Sequence, residues 1–339
     1  MFHGGVNTLP DDYLGDMTQD FINHTGSPEF SIIRYQKEAA AVWDDFVLRA
    51  KNGHFQFFRK YMEYHQDRFP DESLMMYRKQ KLVALLPGHR DNDVYRSHGG
   101  LSFGGFILDP AFSLNWILPV FETLAEWLKQ QGYNRLIYKT VPALYHRQPA
   151  EEDRWALYRL DAKWHYRNTS LTIDQRQDHF WRTNRKRALS KSVSSGLNWQ
   201  EDRDPGRFYP ILAEKLDTKY RRSPVHRSDE LQYLMETFPR HIRLHVACCQ
   251  QEVVAGVLVY NFQGVAHAQY IAATEVGEQV EALTGLFNHL IKDVYAGCRY
   301  FDFGICNEEQ GKVLNSGLAR FKEGFGAGTT VFEAYELEL

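Results

Sequence analysis

The chain has 339 residues, of which 43% are hydrophobic, 14% aromatic and 24% charged, and its formal net charge is -3. This length suits two domains or one large domain, and the apolar fraction excludes a wholly disordered chain. The near-neutral charge argues against a dedicated DNA-binding protein. No apolar run reaches the ~18–20 residues that a membrane helix needs, so we expect no transmembrane segment.

The cysteines and the first thirty residues bear on the compartment. The four cysteines have no metal-binding spacing, and residues 1–30 contain five acidic side chains, no Lys or Arg and no apolar block. We therefore expect reduced thiols, no bound metal, no secretory signal and a cytoplasmic protein. Because residues 1–30 also lack a sustained period, they predict an acidic, flexible N-terminal tail.

Apolar periodicity in the first half of the chain predicts three helices and three strands, with a glycine-containing segment before the third helix. The helices are Glu38–Lys51, Phe55–Phe69 and Phe112–Gln131; the strands are Ser73–Tyr77, Leu82–Pro87 and Arg135–Thr140; the glycine-containing segment is Val94–Ile107.

The second half repeats this order. Its predicted strands are Arg243–Cys249, Val253–Asn261, Ala266–Ala273 and Tyr300–Gly304, and its helix is Glu278–Ala296. A repeat with a period of about half the chain indicates two domains of one fold. Antiparallel strands followed by a helix and a further strand predict a mixed, largely antiparallel sheet flanked by helices, an α/β (α+β layered) fold.

An ordered set of short motifs extends over the same region. It comprises Trp43, Asn52–Gln56 (NGHFQ), the two strands Ser73–Tyr77 and Leu82–Pro87, Ser97–Leu101 (SHGGL), Gly104–Gly105, Pro239–Leu244 (PRHIRL), His267–Tyr270 (HAQY), Tyr300–Gly304 (YFDFG), Leu314–Leu318 (LNSGL) and Phe321–Gly326 (FKEGFG). In these motifs the chain resembles the FemAB-like branch of the GNAT acyltransferase superfamily.

This resemblance implies two tandem GNAT-like domains, which we place at residues 31–160 and 161–339, with the active site in the second domain or between the two. It also implies transfer of an acyl group, such as acetyl, from a coenzyme A thioester to an amine of a small molecule, amino sugar or cell-envelope precursor. An aminoacyl-tRNA-dependent transferase of the same fold is one alternative. A non-catalytic, ligand-binding tandem domain is another.

Two segments are candidates for binding the phosphates of the donor. The free N–H groups of a helix start, here at Thr274 and Gly277, can hold a phosphate, although GNAT enzymes usually have more glycines there and Glu275 and Glu278 would repel an anion. In the basic segment 176–191, Arg182, Arg185 and Lys186 fall within about one helical turn and could form a phosphate-binding face, or a solvated one.

The candidate catalytic residues are those able to deprotonate an amine: His267, Asp302 and Glu323. Asp302 stands between Phe301 and Phe303, so it faces the other side of its strand. We expect His98, Tyr270 and Lys322 to contact the substrate. Glycines beside His98 allow close backbone approach to a ligand, and a tight strand turn would explain them equally well. Lys322 could neutralise a carboxylate or phosphate, and the alternative is a surface lysine.

Overall fold

The computed structural model describes residues 29–221 and 223–339. The expected tail, residues 1–30, therefore lies outside the described residues except for its last two, and Phe30 begins the first strand. The chain divides into two compact units. The first unit contains the residues up to Tyr166 together with Phe332–Leu339, and the second contains Arg167–Val331. The last eight residues thus group with the first unit, whereas the sequence analysis included them in a second domain, 161–339.

The first unit contains a four-stranded antiparallel sheet with the order β1-β2-β3-β6 and a second sheet with the order β4-β5-β7-β16. Its strands are β1 (Phe30–Arg34), β2 (Leu74–Arg78), β3 (Lys81–Leu86), β4 (His89–Asp91), β5 (Val94–Arg96), β6 (Ile107–Leu108), β7 (Arg135–Lys139) and the end of β16 (Gly328–Glu338). Its helices are α1 (Ala40–Arg49), α2 (Arg59–Glu63), α3 (Ile117–Gln130) and α4 (Glu152–Arg159).

Helix α3 has the strongest amphipathic pattern of this unit. Its apolar residues, Ile117, Val120, Phe121, Leu124 and Leu128, recur at helical spacing and are fully buried. They join side chains of the sheets in one apolar core. The chain from β5 to β7, which pair in parallel, passes through β6 and then α3, so it must cross over the sheet between them.

The second unit contains a six-stranded mixed sheet with the order β8-β13-β12-β11-β10-β9, in which only β12 and β13 pair in parallel. Its strands are β8 (Lys163–Asp174), β9 (Asn198–Asp202), β10 (Ile242–Cys249), β11 (Glu252–Phe262), β12 (Val265–Ala273) and β13 (Tyr300–Ile305), followed by the short pair β14 (Asn307–Glu308) and β15 (Val313–Leu314). Its helices are α5 (Thr183–Ser194), α6 (Tyr209–Tyr220), α7 (Ser228–Thr237), α8 (Glu275–Gln279), α9 (Ala282–His289) and α10 (Ser316–Glu323).

One sheet face of the second unit packs on α9. Val257, Val259, Ala266, Ala268, Phe301 and Phe303 lie in one buried cluster with Leu286 and Phe287 of that helix. In both units, antiparallel strands lead through a crossing helix into a parallel strand. The expected fold class, two GNAT-like domains with mixed, largely antiparallel sheets, is thereby confirmed.

Two expected helices are shorter than the sequence suggested. Phe58, with φ -65° and ψ 143°, is extended, so the segment expected to be one helix forms a 3-10 turn at Phe55–Phe57 and then α2. The expected helix Glu278–Ala296 is interrupted where Glu281 adopts a left-handed conformation with φ +56°. It continues as α9 and a π-helical turn at Leu290–Val294.

Candidate functional site in the second unit

The parallel strands β12 and β13 diverge near their middle. They pair in parallel over Val265–His267 and Tyr300–Asp302. Beyond this point β12 continues to Ala273 beside β11, while β13 passes through Gly304, whose φ is +79°, and ends at Ile305. Backbone N–H and C=O groups at such a divergence can bind an extended ligand as a further strand would.

His267 and Asp302 stand side by side at this divergence. They are register partners, and His267 Nδ1 lies 2.7 Å from Asp302 Oδ2. The Asp302 side chain is 0% exposed and that of His267 13%. Because Phe301 and Phe303 point into the core under α9, Asp302 and His267 are on the opposite sheet face.

The other oxygen of Asp302 is held by strand β8 and by its own strand. Ser170 and Thr172 donate their hydroxyl hydrogens to Asp302 Oδ1 at 2.5 and 2.9 Å, and the Gly304 N–H donates to the same atom at 3.3 Å. Burial alone raises the pKa of Asp302, but the hydrogen bond and charge of His267 and the two hydroxyl bonds outweigh it and hold the pKa below its ordinary value. Asp302 is therefore a fixed anion that orients the imidazole.

A β-bulge brings Tyr270 to the same face as His267. Tyr260 pairs with His267 and Leu258 with Tyr270, so Gln269 is an extra residue in β12 and the side-chain alternation reverses there. The two partner residues on β11 are two positions apart, which separates His267 from Tyr270 by about 7 Å. The hydroxyl of Tyr270 lies 2.6 Å from His226 Nδ1, and both side chains are buried.

Glu323 and Lys322, at the end of α10, have structural partners. Glu323 accepts a hydrogen bond of 2.8 Å from Arg182 at the half-exposed surface. Lys322 is buried and donates to the carbonyls of Gly304 and Ile305 at 2.8 and 2.9 Å. Burial lowers the pKa of this ammonium group. Lys322 thus fixes the end of β13 beside Asp302, and its expected contact with substrate stays a prediction.

The start of α8 offers little to a phosphate. The Thr274 hydroxyl accepts from the Gly277 N–H at 3.1 Å and donates to the Val254 carbonyl at 3.3 Å, so these two candidate ligands are bonded to each other and to the sheet. Two carboxylates, Glu275 and Glu278, occupy the first turn. The residues expected to bind the diphosphate of coenzyme A therefore do not fit that group as arranged here.

Arg185 does not belong to an exposed basic face. It is buried, donates to Thr284 Oγ1 at 2.7 Å and lies 3.6 Å from Glu281. Its guanidinium is also stacked 4.4 Å from the centre of the Phe321 ring. Because Arg182 is paired with Glu323, only Lys186 of the three expected phosphate ligands remains exposed without a described ion pair.

His98 lies in the first unit, after β5. It is fully buried, has a φ of +60°, and its ring centre is 5.2 Å from that of His65 and 5.7 Å from that of His89. The next residues include Gly100-Leu101-Ser102-Phe103-Gly104, which has the spacing of a hydrolase nucleophile elbow. No helix follows it, and Ser102 is hydrogen-bonded at 3.5 Å by Gln56, so the context of that motif is missing.

Sequence reasoning missed Ser170, Thr172 and His226. Ser170 and Thr172 alternate along β8, a strand the sequence analysis did not identify, and their separation by one residue was the available signal. Across residues 29–221 and 223–339, no group of three or more His, Cys, Asp or Glu side chains is arranged to hold a metal ion. In the same ranges, no helix is both long and apolar enough to cross a membrane.

Comparison with known proteins identifies the fold of this site. Residues 175–323 match the family model of the acetyltransferase (GNAT) domain. They include both strands of the divergence, His267, Asp302 and Tyr270. The match identifies residues 175–323 as a GNAT-type acetyltransferase domain. No curated protein has a significant match to the chain.

Solved structures extend the similarity to most of the chain. The fold is similar to that of FemX, at 10% identity and a TM-score of 0.62, covering 89% of this chain and 96% of FemX. It is also similar to L-PGS from Bacillus licheniformis, at 13% identity and a TM-score of 0.53, covering 76% of this chain and 81% of L-PGS. A third similar structure is the C-terminal domain of a protein assigned as a lysylphosphatidylglycerol synthetase from Agrobacterium fabrum. Its sequence identity is 9% and its TM-score 0.57, and the similarity covers 88% of this chain and 91% of that domain. The chain has the fold of the FemAB-like branch, which confirms the sequence resemblance.

Proposed function

We propose that the second unit transfers an acyl group from an activated carbonyl to the amine of a small molecule, amino sugar or cell-envelope precursor, with His267 as the general base. The observation that carries this proposal is the His267–Asp302 pair at the divergence of β12 and β13. A buried carboxylate that orients an imidazole is a recurrent device for proton abstraction.

The proposed chemistry needs one proton acceptor and no covalent nucleophile. With Asp302 accepting from the Nδ1–H of His267, the unprotonated Nε2 takes a proton from the attacking amine as its nitrogen bonds to the carbonyl carbon. The bond from that carbon to the leaving thiolate or alkoxide then breaks, and the leaving group takes the proton that His267 Nε2 has accepted from the amine. Backbone N–H groups of β12 beyond His267 are suited to stabilising the intermediate oxyanion.

Tyr270 is proposed as the substrate contact on the leaving-group side. It shares the sheet face of His267 at a spacing of about 7 Å, which suits groups that flank one tetrahedral centre. His98 is not part of this proposed site, because it lies buried in the first unit among His65 and His89. Glu323 is likewise assigned a pairing role with Arg182.

Two donors are proposed for test. A coenzyme A thioester is the usual donor of a GNAT domain. An aminoacyl-tRNA is the second candidate, and two observations favour it. Glu275 and Glu278 lie in the first turn of α8 and disfavour an anion there, with Glu278 paired to Lys215. The fold is also similar to that of L-PGS and of an assigned lysylphosphatidylglycerol synthetase, whose name denotes transfer of an aminoacyl group.

The test combines donor binding with turnover. The full chain is first incubated with acetyl-coenzyme A, longer acyl thioesters or charged tRNA, and a rise in Tm identifies the donor. With that donor and a panel of amines, His267→Gln is expected to keep the Tm shift and to lose turnover by about 10²–10⁴-fold.

His289→Gln is the matched control, because His289 also pairs with a carboxylate, Asp293 at 2.8 Å, but on the surface of α9. It is expected to retain the wild-type rate. Undiminished turnover of His267→Gln would contradict the assignment of the base. No Tm shift with any donor would contradict acyl transfer itself and leave the non-catalytic alternative.

A further inference from the structure

Helix α5 is attached to the second unit by one face only. Its buried residues are Arg185 and Ser192. Ser192 packs against Gly285 of α9 so closely that a Cβ at Gly285 would lie 2.3 Å from the serine hydroxyl. Arg185 bonds to Thr284 of the same helix. The opposite face of α5 is therefore turned away from the core.

That opposite face is cationic. Lys186, Arg187 and Lys191 are all exposed, and α5 contains no acidic residue. Within the part of the chain that the structure describes, none of these three cations is in an ion pair. Arg187 and Lys191 are one turn apart, and Lys186 is adjacent to Arg187, so the three charges lie within two turns of one helix.

Exposed apolar side chains precede and follow these cations along the chain. Phe180, two residues before the helix N-cap, is 81% exposed, and Val193 near the helix end is 59% exposed. Val193 lies two turns after Lys186, on the same side of the helix. A phosphate backbone would attract the cations but would give the valine nothing to pack against. A bilayer interface provides anionic head groups and an apolar layer at once.

We propose that the surface formed by Phe180, Lys186, Arg187, Lys191 and Val193 docks on an anionic lipid bilayer. The three cations contact the head groups, and Phe180 and Val193 enter the boundary with the acyl chains. Each cation near such a surface strengthens binding about fivefold, so the three together contribute about 100-fold. This is a reversible attachment of the second unit to a membrane surface and needs no spanning helix. It is compatible with either acyl donor as long as that donor is bound elsewhere on the protein.

The test is vesicle sedimentation of the full chain. Vesicles of phosphatidylcholine with 30% phosphatidylglycerol are compared with vesicles of phosphatidylcholine alone, at low and high salt. We expect binding only to the anionic vesicles, weakened as salt shortens the reach of the charges from about 10 Å at 0.1 M to about 3 Å at 1 M. The triple variant K186E/R187E/K191E is expected to bind at least about 100-fold more weakly, and Phe180→Ser about tenfold.

A matched variant, K37E/K60E/K129E, makes the same change of net charge at three exposed lysines of the first unit. It is expected to bind the anionic vesicles like the wild type. The proposal is overturned if the wild type does not bind anionic vesicles, if both triple variants lose binding equally, or if Phe180→Ser binds unchanged. It is also overturned if transfer RNA is bound through the same lysines and arginine with no contribution from Phe180, since the surface would then serve a nucleic acid.

Discussion

Replacing Asp302 separates its structural role from its orienting role. In Asp302→Ala, four donors lose their acceptor in a site that is 0% exposed: the His267 ring, the Ser170 and Thr172 hydroxyls and the Gly304 N–H. The Thr172 hydroxyl also lies 3.0 Å from the Thr330 hydroxyl and can donate to it instead. At about 1 kcal/mol for each of the other three donors left unpaired, the free energy of unfolding should fall by about 3 kcal/mol.

Asp302→Asn should be much less destabilising, because three of the four donors bond to the same oxygen. Ser170, Thr172 and Gly304 all donate to Oδ1, which an asparagine carbonyl can replace, while His267 faces Oδ2. We expect a loss of about 1–2 kcal/mol, from exchanging a charged acceptor for a neutral one.

The asparagine nevertheless reverses the polarity of the bond to the imidazole. Its NH₂ group donates to His267 Nδ1, so the ring proton moves to Nε2, and this nitrogen can no longer accept a proton from the amine. We expect turnover to fall by about 10³-fold while substrate affinity changes little.

Urea unfolding of wild type, Asp302→Asn and Asp302→Ala, beside single-turnover assays, checks both expectations. The reasoning would be refuted if asparagine destabilised the chain as much as alanine does, or if it left turnover within threefold of the wild type. An equal loss of stability in the two variants would mean that Oδ1 is not the shared acceptor. Retained turnover in Asp302→Asn would mean that the imidazole is not the base.

Three further predictions concern stability. Burial lowers the pKa values of His65 and His89 to about 4, so the folded chain binds their protons less readily than the unfolded chain. Their contribution to the free energy of unfolding is present above pH 6.5 and is lost as the pH falls towards 4, by up to about 3 kcal/mol each. In urea unfolding at pH 7 and pH 5, His65→Leu should therefore lose less free energy of unfolding between the two pH values than the wild type does. Burial raises the pKa of Asp153 to about 7, so its contribution to the free energy of unfolding is present below pH 4 and is lost as the pH rises to 7. Asp153→Asn should remove up to about 4 kcal/mol of this change between pH 4 and pH 7. An unchanged pH dependence would contradict the burial of a protonated carboxyl. In Gly277→Ala the new Cβ would lie 2.1 Å from a β11 carbonyl, which should lower the unfolding free energy by about 1–3 kcal/mol, whereas Gly297→Ala, with nothing within 4 Å, should be neutral in the same calorimetric scan.

The sequence was informative where one period continued without interruption. Helix α3 and the apolar strands β10–β13 could be predicted because the signal for each lies in the residues of that element itself. The interruptions were not predictable in this way. Phe58 and Glu281 carry no helix-breaking side chain, and their backbone conformations are set by packing in the folded unit.

For the site, sequence alternation correctly turned Asp302 away from Phe301 and Phe303, but it gave no distance to His267. The pairing of Asp302 with His267 depends on strand register, which is a property of two segments 35 residues apart. The bulge at Gln269 has no local signal either, so Tyr270 would be placed on the wrong face by strict alternation. Arg185 was expected at the surface because its acceptors, Thr284 and Glu281, are about 100 residues away.

The division of the chain has a consequence for synthesis. The second unit is one continuous segment, Arg167–Val331, inserted into the first, whose sheet is completed only by residues 334–338 pairing with β7. A ribosome therefore releases everything that the second unit needs before it releases the last strand of the first. Since domains fold as units during translation, the inserted unit should mature first, and the earlier-made unit should wait with the β7 edge unpaired for a partner translated about two hundred residues later.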